Sequence, residues 1–293
     1  MNDHLELNFG KPTIAMIDGN AIVHRAFHAL PPLINSRKEP IGALYGFLRV
    51  IFKIIREYGP THLFVAFDAP GPTFRHQVFS DYKATRVKAP ESLYQQIPYI
   101  KKALETLGIS ILAKQGFEAD DLIGTLSKII DKPINKLIIT GDTDLLQLAN
   151  VETKIILMQQ GIGQYQIFGP DEIEEKYGLE PKQLIELKGL KGDATDNLPG
   201  VKGIGDKTGK ELIQKFKTLE EVYQNLDKIP DRFKSKLIEQ KKEAFMSRQL
   251  GTIKCNIPID SSLEKYQWKG YNRKEAIEFL EKYSLKSLIK SLP

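Results

Sequence analysis

The chain has 293 residues, room for one large core or two domains, and its 41% hydrophobic and 27% charged content is that of a globular protein. No apolar run approaches the ~20 residues that span a bilayer, and Met1-Asn-Asp-His-Leu-Glu6 lacks a signal peptide's basic and apolar regions, so a cytoplasmic protein is expected. One cysteine, Cys255, excludes an internal disulfide, and the lack of a Cys/His cluster at ligand spacing argues against zinc.

Residues 1–12 carry no pattern and read as a leader. Thr13 to Ile17 is a short apolar run, a buried strand that closes on Asp18-Gly19-Asn20. A helix over Ala21 to Ala29 stops at Pro31-Pro32, and Ile41 to Tyr58 has apolar residues at helical spacing before Gly59-Pro60 ends it. His62 to Phe67 is a second strand, closed by Asp68. The block from Ala69 to Pro90 interleaves Arg75, His76, Lys83, Arg86 and Lys88 with Phe74, Phe79 and Tyr82. Its length suits a functional loop or arch, about 70–92, better than a connector.

A helix is expected from about Leu93 to Leu107, then a strand over Ile109 to Ala113 and a helix over Leu122 to Ile130. Lys136 to Thr140 is the fourth strand, and a short helix is expected over Leu145 to Ala149. Val151 to Met158 and Gln164 to Phe168 read as a hairpin turning at Gly161 and Gly163. Strands alternating with helices predict an α/β fold with a mostly parallel central sheet flanked by helices. That core runs over 13–169, and a helical region follows over 170–293. The net charge of +5 resides in that second part: Lys182 to Lys254 holds 16 basic and 11 acidic residues, leaving 26 of each elsewhere. A phosphate-rich partner explains such a local excess, as do scattered solvated lysines.

Four strand candidates end in acid: Asp18, Asp68, the Glu118/Asp120/Asp121 group, and Asp142 with Asp144. In an open parallel sheet those ends line one crevice. Each acid alone has a structural alternative, such as capping a helix. Together they repel one another and call for hard, oxygen-seeking cations such as Mg2+ or Mn2+. Asp193 and Asp196, in Gly192-Asp-Ala-Thr-Asp-Asn197, are expected on one helical turn, facing the same way. Nine acids exceed the needs of one ion, which points to a two-cation site on a phosphodiester.

Leu198 to Ile213 has the form of a helix–hairpin–helix within about 186–216. Gly203-Ile204-Gly205 is its turn, able to aim backbone N–H groups at a phosphate, with Lys202, Lys207 and Lys210 adding charge. In the arch, Lys83 and Arg86 are one helical turn apart and suited to grip a scissile phosphate. Phe79 and Tyr82 are candidates to stack on an unpaired base, the alternative being a solvated basic helix face.

Several stretches together resemble the 5′ nuclease domain of bacterial DNA polymerase I, in the flap endonuclease superfamily. They include Ile17-Asp-Gly-Asn20, His24-Arg-Ala-Phe27, Asp81-Tyr-Lys-Ala-Thr-Arg86, Glu118-Ala-Asp-Asp121, Thr140-Gly-Asp-Thr-Asp144, Gly192 to Asn197 and Pro199 to Gly205. The resemblance implies a divalent-metal-dependent nuclease acting on 5′ ends and 5′ flaps of branched or nicked DNA. It further implies RNA primer–DNA hybrids as substrates, a monomer, and work beside a polymerase and ligase near the nucleoid. By matching position, Asp68, Glu118, Asp120 and Asp121 would hold the first metal with Asp18 in support, and Asp142, Asp144, Asp193 and Asp196 the second. Lys83 and Arg86 would act in catalysis, Arg25 would contact DNA, and the hairpin would hold K+.

Two positions depart from the family pattern. His24 replaces an aromatic residue, and Gly209 replaces an alanine at about 1 kcal/mol of helix propensity. The chain stops at Pro293, as expected of a free-standing nuclease or of a fragment. The competing readings are a PIN-type ribonuclease, which typically lacks the arch and glycine hairpin, and a non-catalytic branched-DNA binding module.

Overall fold

The first strand, β1 (Thr13–Asp18), is buried along its whole length because it lies at the centre of a sheet covered on both faces. The protein is described from a computed structural model that covers residues 11–130, 133–159, 161–260 and 262–293. Most of the expected leader, residues 1–10, lies outside these. After β1 come α1 (Gly19–Ala29), α2 (Gly42–Tyr58), β2 (His62–Ala66), α3 (Phe74–Val78), α4 (Glu91–Tyr94) and α5 (Ile97–Thr106). Then follow β3 (Ser110–Leu112), α6 (Ala119–Ile129), β4 (Asn135–Thr140), a 3-10 segment (Thr143–Leu148), β5 (Thr153–Met158) and β6 (Tyr165–Phe168).

The strands are ordered β3-β2-β1-β4-β5-β6, and all neighbours are parallel except the terminal β5–β6 hairpin. The expected mostly parallel sheet is therefore present. Alternation along β1 sends Ala15 and Ile17 to one apolar layer and Ile14 and Met16 to the other. The first layer is built on α2, whose Leu44, Phe47, Leu48, Ile51, Ile54 and Ile55 form a buried stripe. Each such side chain contributes roughly 2 kcal/mol by burial. The helix ends where Gly59 takes φ 50° and donates its N–H to Ile55 O at 3.0 Å.

Two helices depart from the sequence reading for local reasons. The one expected over Leu93 to Leu107 is split into α4 and α5, because Pro98 has no N–H to continue the ladder and sits at the start of α5. Buried Gln96, in the break, accepts from the N–H groups of Ala43 and Leu44 and so caps α2. The segment after β4 is 3-10 and starts earlier than expected, since Asp142 caps it by accepting from Asp144 N at 2.9 Å.

The rest is helical, with α7 (Pro170–Tyr177), α8 (Gln183–Lys191), α9 (Asp206–Phe216), α10 (Leu219–Gln224), α11 (Asp231–Glu239), α12 (Lys241–Gly251) and α13 (Arg273–Lys282). This region does not pack as one unit. Leu187, Leu190, Ile204, Ile213, Phe216 and Leu237 build a separate core, whereas Ala276, Leu280, Tyr283 and Leu288 return to pack on the α2–α5 layer. A side chain on Gly209 would come within 2.7 Å of Leu187 Cδ1, so glycine there lets α9 approach α8 closely and offsets its poor helix propensity.

Candidate metal and phosphodiester site

The acids gather where the strand order reverses, between β1 and β4, the position at which open α/β sheets bind ligands. Asp18 joins the two strands: Oδ1 accepts from Ala21 N at 3.0 Å, capping α1, and Oδ2 accepts from Thr140 Oγ1 at 2.8 Å. Burial, reinforced by the charges of Asp142 and Asp68, pushes its carboxyl up to about 7. Asp68 follows β2 and accepts from Ala119 N at 2.8 Å and from Asn20 Nδ2 at 3.0 Å. Burial raises its pKa too. Asp120, in the first turn of α6, is raised well above the usual carboxylate range by burial and then by Asp18 and Asp142.

Glu118, Asp120, Asp142, Asp144 and Asp196 line one small recess with Arg75, Tyr82 and Lys83. Burial among like charges disfavours the ionised carboxylates here, and a bound cation would favour them. The donors are all oxygen, which fits hard divalent cations. Among the described residues, Asp144, Asp193 and Asp196 form the group whose ligand oxygens fall within 4.8 Å of one another.

Asp193 and Asp196 are not on a helix, contrary to the sequence reading. They occupy a tight loop closed by Asp193 N to Leu198 O at 2.9 Å and Leu198 N to Asp193 O at 2.8 Å. Gly192 and Gly200 flank it at φ 72° and 57°, and a Cβ on either would strike the other strand of the loop. Within it Asp193 Oδ1 accepts from Thr195 N at 2.8 Å.

The arch also differs from expectation. Helix α3 ends at Val78, and the residues that follow form turns docked on the aspartate loop. Lys83 adopts φ 57°, donates its N–H to Asp196 O at 3.0 Å, and places Nζ 2.9 Å from Glu118 Oε1. A non-glycine residue held at positive φ is uncommon and costs of order 1 kcal/mol. Arg86 Nη2 lies 2.5 Å from Asp196 Oδ1, with its side chain 44% exposed. Both arch cations thus reach the acids.

Four predicted residues are placed differently from their expected roles. Asp121 is fully buried, and both oxygens are taken by Arg75 at 2.7 and 2.8 Å, with further donors from Glu118 N and Lys254 N. It is held as a structural anion with no lone pair facing the recess free of protein donors. Tyr82 is 3% exposed and hydrogen-bonds Glu118 and Asp196, so it positions carboxylates and has no face for stacking a base. Phe79 packs half-buried against Tyr82, Leu198 and Leu250. Arg25 donates to Gln159 O at 2.5 Å and Gly141 O at 3.5 Å, which clamps the loop after β4.

The hairpin residues Lys202, Gly203, Gly205 and Lys207 are exposed, while Ile204 is buried as the plug between helices. Gly203 has φ 91°, and Gly205 caps α9. Lys210 is paired with Asp206 at 2.8 Å, and Lys191 reaches the same carboxylate at 3.0 Å. Two cations escaped the sequence reading of the site. Arg75 was one of several basic residues in its block. Lys188 carried a signal, a lysine between Leu187 and Leu190 on a helix face that needs apolar residues.

Known proteins resemble nearly the whole chain. The profile of the 5'-3' exonuclease N-terminal resolvase-like domain matches residues 13–178, and that of the 5'-3' exonuclease C-terminal SAM fold matches 179–283. DNA polymerase I of Bacillus subtilis is 38% identical over 281 residues, covering 95% of this chain and 32% of the relative. That of Caldicellulosiruptor bescii is 40% identical over 282 residues, covering 95% and 33%. The chain therefore spans about a third of the length of these relatives. T5 5′-exonuclease with bound zinc has a TM-score of 0.66 at 21% identity, covering 96% of this chain and 100% of that one. The catalytic core of Rad2 with a DNA substrate has a TM-score of 0.64 at 18% identity, covering 96% and 92%. Spanning both profiles from β1 to α13, the chain belongs to the 5'-3' exonuclease family.

Proposed function

We propose that this chain is a structure-selective 5′–3′ exonuclease and flap endonuclease that hydrolyses phosphodiesters at 5′ ends and 5′ flaps of branched or nicked DNA. The observation that carries the reading is the convergence of eight carboxylates, Asp121 being taken by Arg75, and the arch cations Lys83 and Arg86 at the β1/β4 switch point. Its substrates would include RNA primer–DNA hybrids, as in primer removal, repair and Okazaki fragment processing. The cations are Mg2+ or, in its place, Mn2+, with K+ at the hairpin. We place the enzyme in the cytoplasm beside the nucleoid as a monomer, with a polymerase before it and a ligase after it.

Asp68, Glu118 and Asp120 would hold one divalent cation with Asp18 behind them, and Asp142, Asp144, Asp193 and Asp196 a second. When bound, such cations neutralise charge on the attacking and leaving oxygens. The remaining work falls to side chains. Lys83 and Arg86 exchange their carboxylate partners for the scissile phosphate, orienting it and offsetting developing charge. Tyr82 keeps Glu118 and Asp196 aligned by hydrogen bonds. The exposed hairpin takes the duplex backbone through N–H groups and Lys202 and Lys207, so binding there follows shape and charge, not sequence. The core over 13–169 thus supplies most of the acids, Asp193 and Asp196 come from the region after 170, and the hairpin of that region takes the duplex.

Asp142→Asn tests the reading, because Asp142 lines the recess and has no cation partner of its own among the ion pairs described. Turnover of a flap duplex should fall by at least about a hundredfold, with DNA affinity by fluorescence anisotropy nearly unchanged. Normal turnover would remove Asp142 from the site.

A further inference from the structure

The Asp144–Asp193–Asp196 cluster already contains a cation supplied by the protein. Lys188 Nζ lies 2.5 Å from both oxygens of Asp144 and 2.6 Å from Asp193 Oδ2. Its side chain is 10% exposed. The stem is held between α8 and α12, where a Cβ on Gly251 would come 2.7 Å from Lys188 Cδ. Packed against Gly251, the stem holds the ammonium on the carboxylates, unlike a surface lysine that swings between water and an acid.

An ammonium in contact with these oxygens repels a divalent cation bound to the same carboxylates. We propose that Lys188 is a resident counter-ion of this cluster, so that a divalent cation enters only by displacing its ammonium, which becomes free to meet a DNA phosphate. Building on the two-cation reading above, this orders the filling of the site. The other side loads first without DNA, because Asp68 and Asp120 have no cation partner among the described ion pairs and only Glu118 is held by Lys83. The second cation binds weakly until an arriving strand offers the displaced ammonium an anion. The cost of leaving Lys188 unpaired and buried then becomes a coupling between the second cation and DNA.

The test is Mn2+ binding to the whole chain stripped with EDTA, without DNA, followed by electron paramagnetic resonance of free Mn2+. The wild-type protein should bind one ion tightly and a second weakly. Lys188→Met, which keeps the stem and removes the charge, should tighten the second ion by about tenfold or more, the scale of one unit charge at contact distance. Lys188→Arg should restore wild-type binding. If Lys188→Met fails to fold in EDTA and recovers in Mn2+, the ion is replacing the ammonium, which also supports the assignment. If it folds in neither, Lys188→Gln repeats the titration. A second ion bound no more tightly by the charge-free variants overturns the counter-ion role while leaving the two-cation reading intact. A wild-type protein that binds no Mn2+ overturns both.

Discussion

Replacing Arg75 by methionine is the perturbation whose outcome the structure fixes most tightly. Arg75 and Asp121 are a bidentate pair at 2.7 and 2.8 Å with side-chain exposures of 3% and 0%. Nε and Nη2 of the same guanidinium also donate to Leu250 O at 2.7 Å and Thr252 O at 3.2 Å, which ties the end of α12 to the start of α6. Methionine fills the volume but leaves Asp121 as a buried anion beside Glu118, and two carbonyls lose their donor. Breaking a buried pair costs about 3–5 kcal/mol, and a lost carbonyl partner about 1 kcal/mol each. Arg75→Met should therefore destabilise by about 5 kcal/mol, more than a thousandfold in the folding equilibrium. Urea unfolding monitored by circular dichroism measures it. Arg75→Met combined with Asp121→Leu removes both charges and should recover most of the loss. A single variant within about 1 kcal/mol of wild type, or a double variant no better than the single, would refute the structural role given to Asp121.

Lys83→Ala should slow turnover by at least about a hundredfold with the unfolding midpoint within a few degrees of wild type, read by single-turnover kinetics and a thermal melt. Reversing charge at the exposed hairpin with Lys202→Glu and Lys207→Glu should weaken duplex binding and flatten the slope of log affinity against log salt, by about one unit per lost phosphate contact. The buried carboxyls set a pH dependence for the cation-free protein. Asp18 is raised to about 7 and Asp144 to about 6, against about 3.9 in an unfolded chain. The folded state then binds more protons than the unfolded one between about pH 4 and 7, so stability in EDTA should fall as pH rises through 6 to 7. A divalent cation should abolish that slope, and a melting temperature in EDTA that rises from pH 5.5 to 7.5 would contradict the burial assigned to these acids.

The parallel strands were legible because β1, β2 and β4 are continuous apolar runs that each close on an acid or glycine, and such runs have few alternatives to a covered central strand. Asp18 and Asp142 could be placed at the site for the same reason, since the ends of parallel strands share one edge. The contents of the arch were not legible. Tyr82 and Phe79 look like stacking aromatics in a basic block, yet a small core with Leu198 and Leu250, over a hundred residues away, claims them. Asp121 sits one position from Asp120 in the same helical turn. Only the distant Arg75 decides that it is a buried anion whose oxygens are both occupied. Likewise the loop around Asp193 owes its shape to cross-loop hydrogen bonds and glycines at positive φ, not to a periodic signal.

The central claim is that the acidic recess is a cation-dependent 5′ nuclease site, and a 5′-labelled flap duplex incubated with the purified chain tests it most directly. Parallel reactions contain Mg2+, Mn2+ or EDTA, with single-stranded RNA as a control. The account predicts short 5′ products released near the junction in either cation and none in EDTA. Binding without cleavage in both cations would contradict it in favour of a DNA-binding module, and preferential cutting of the RNA in favour of a ribonuclease.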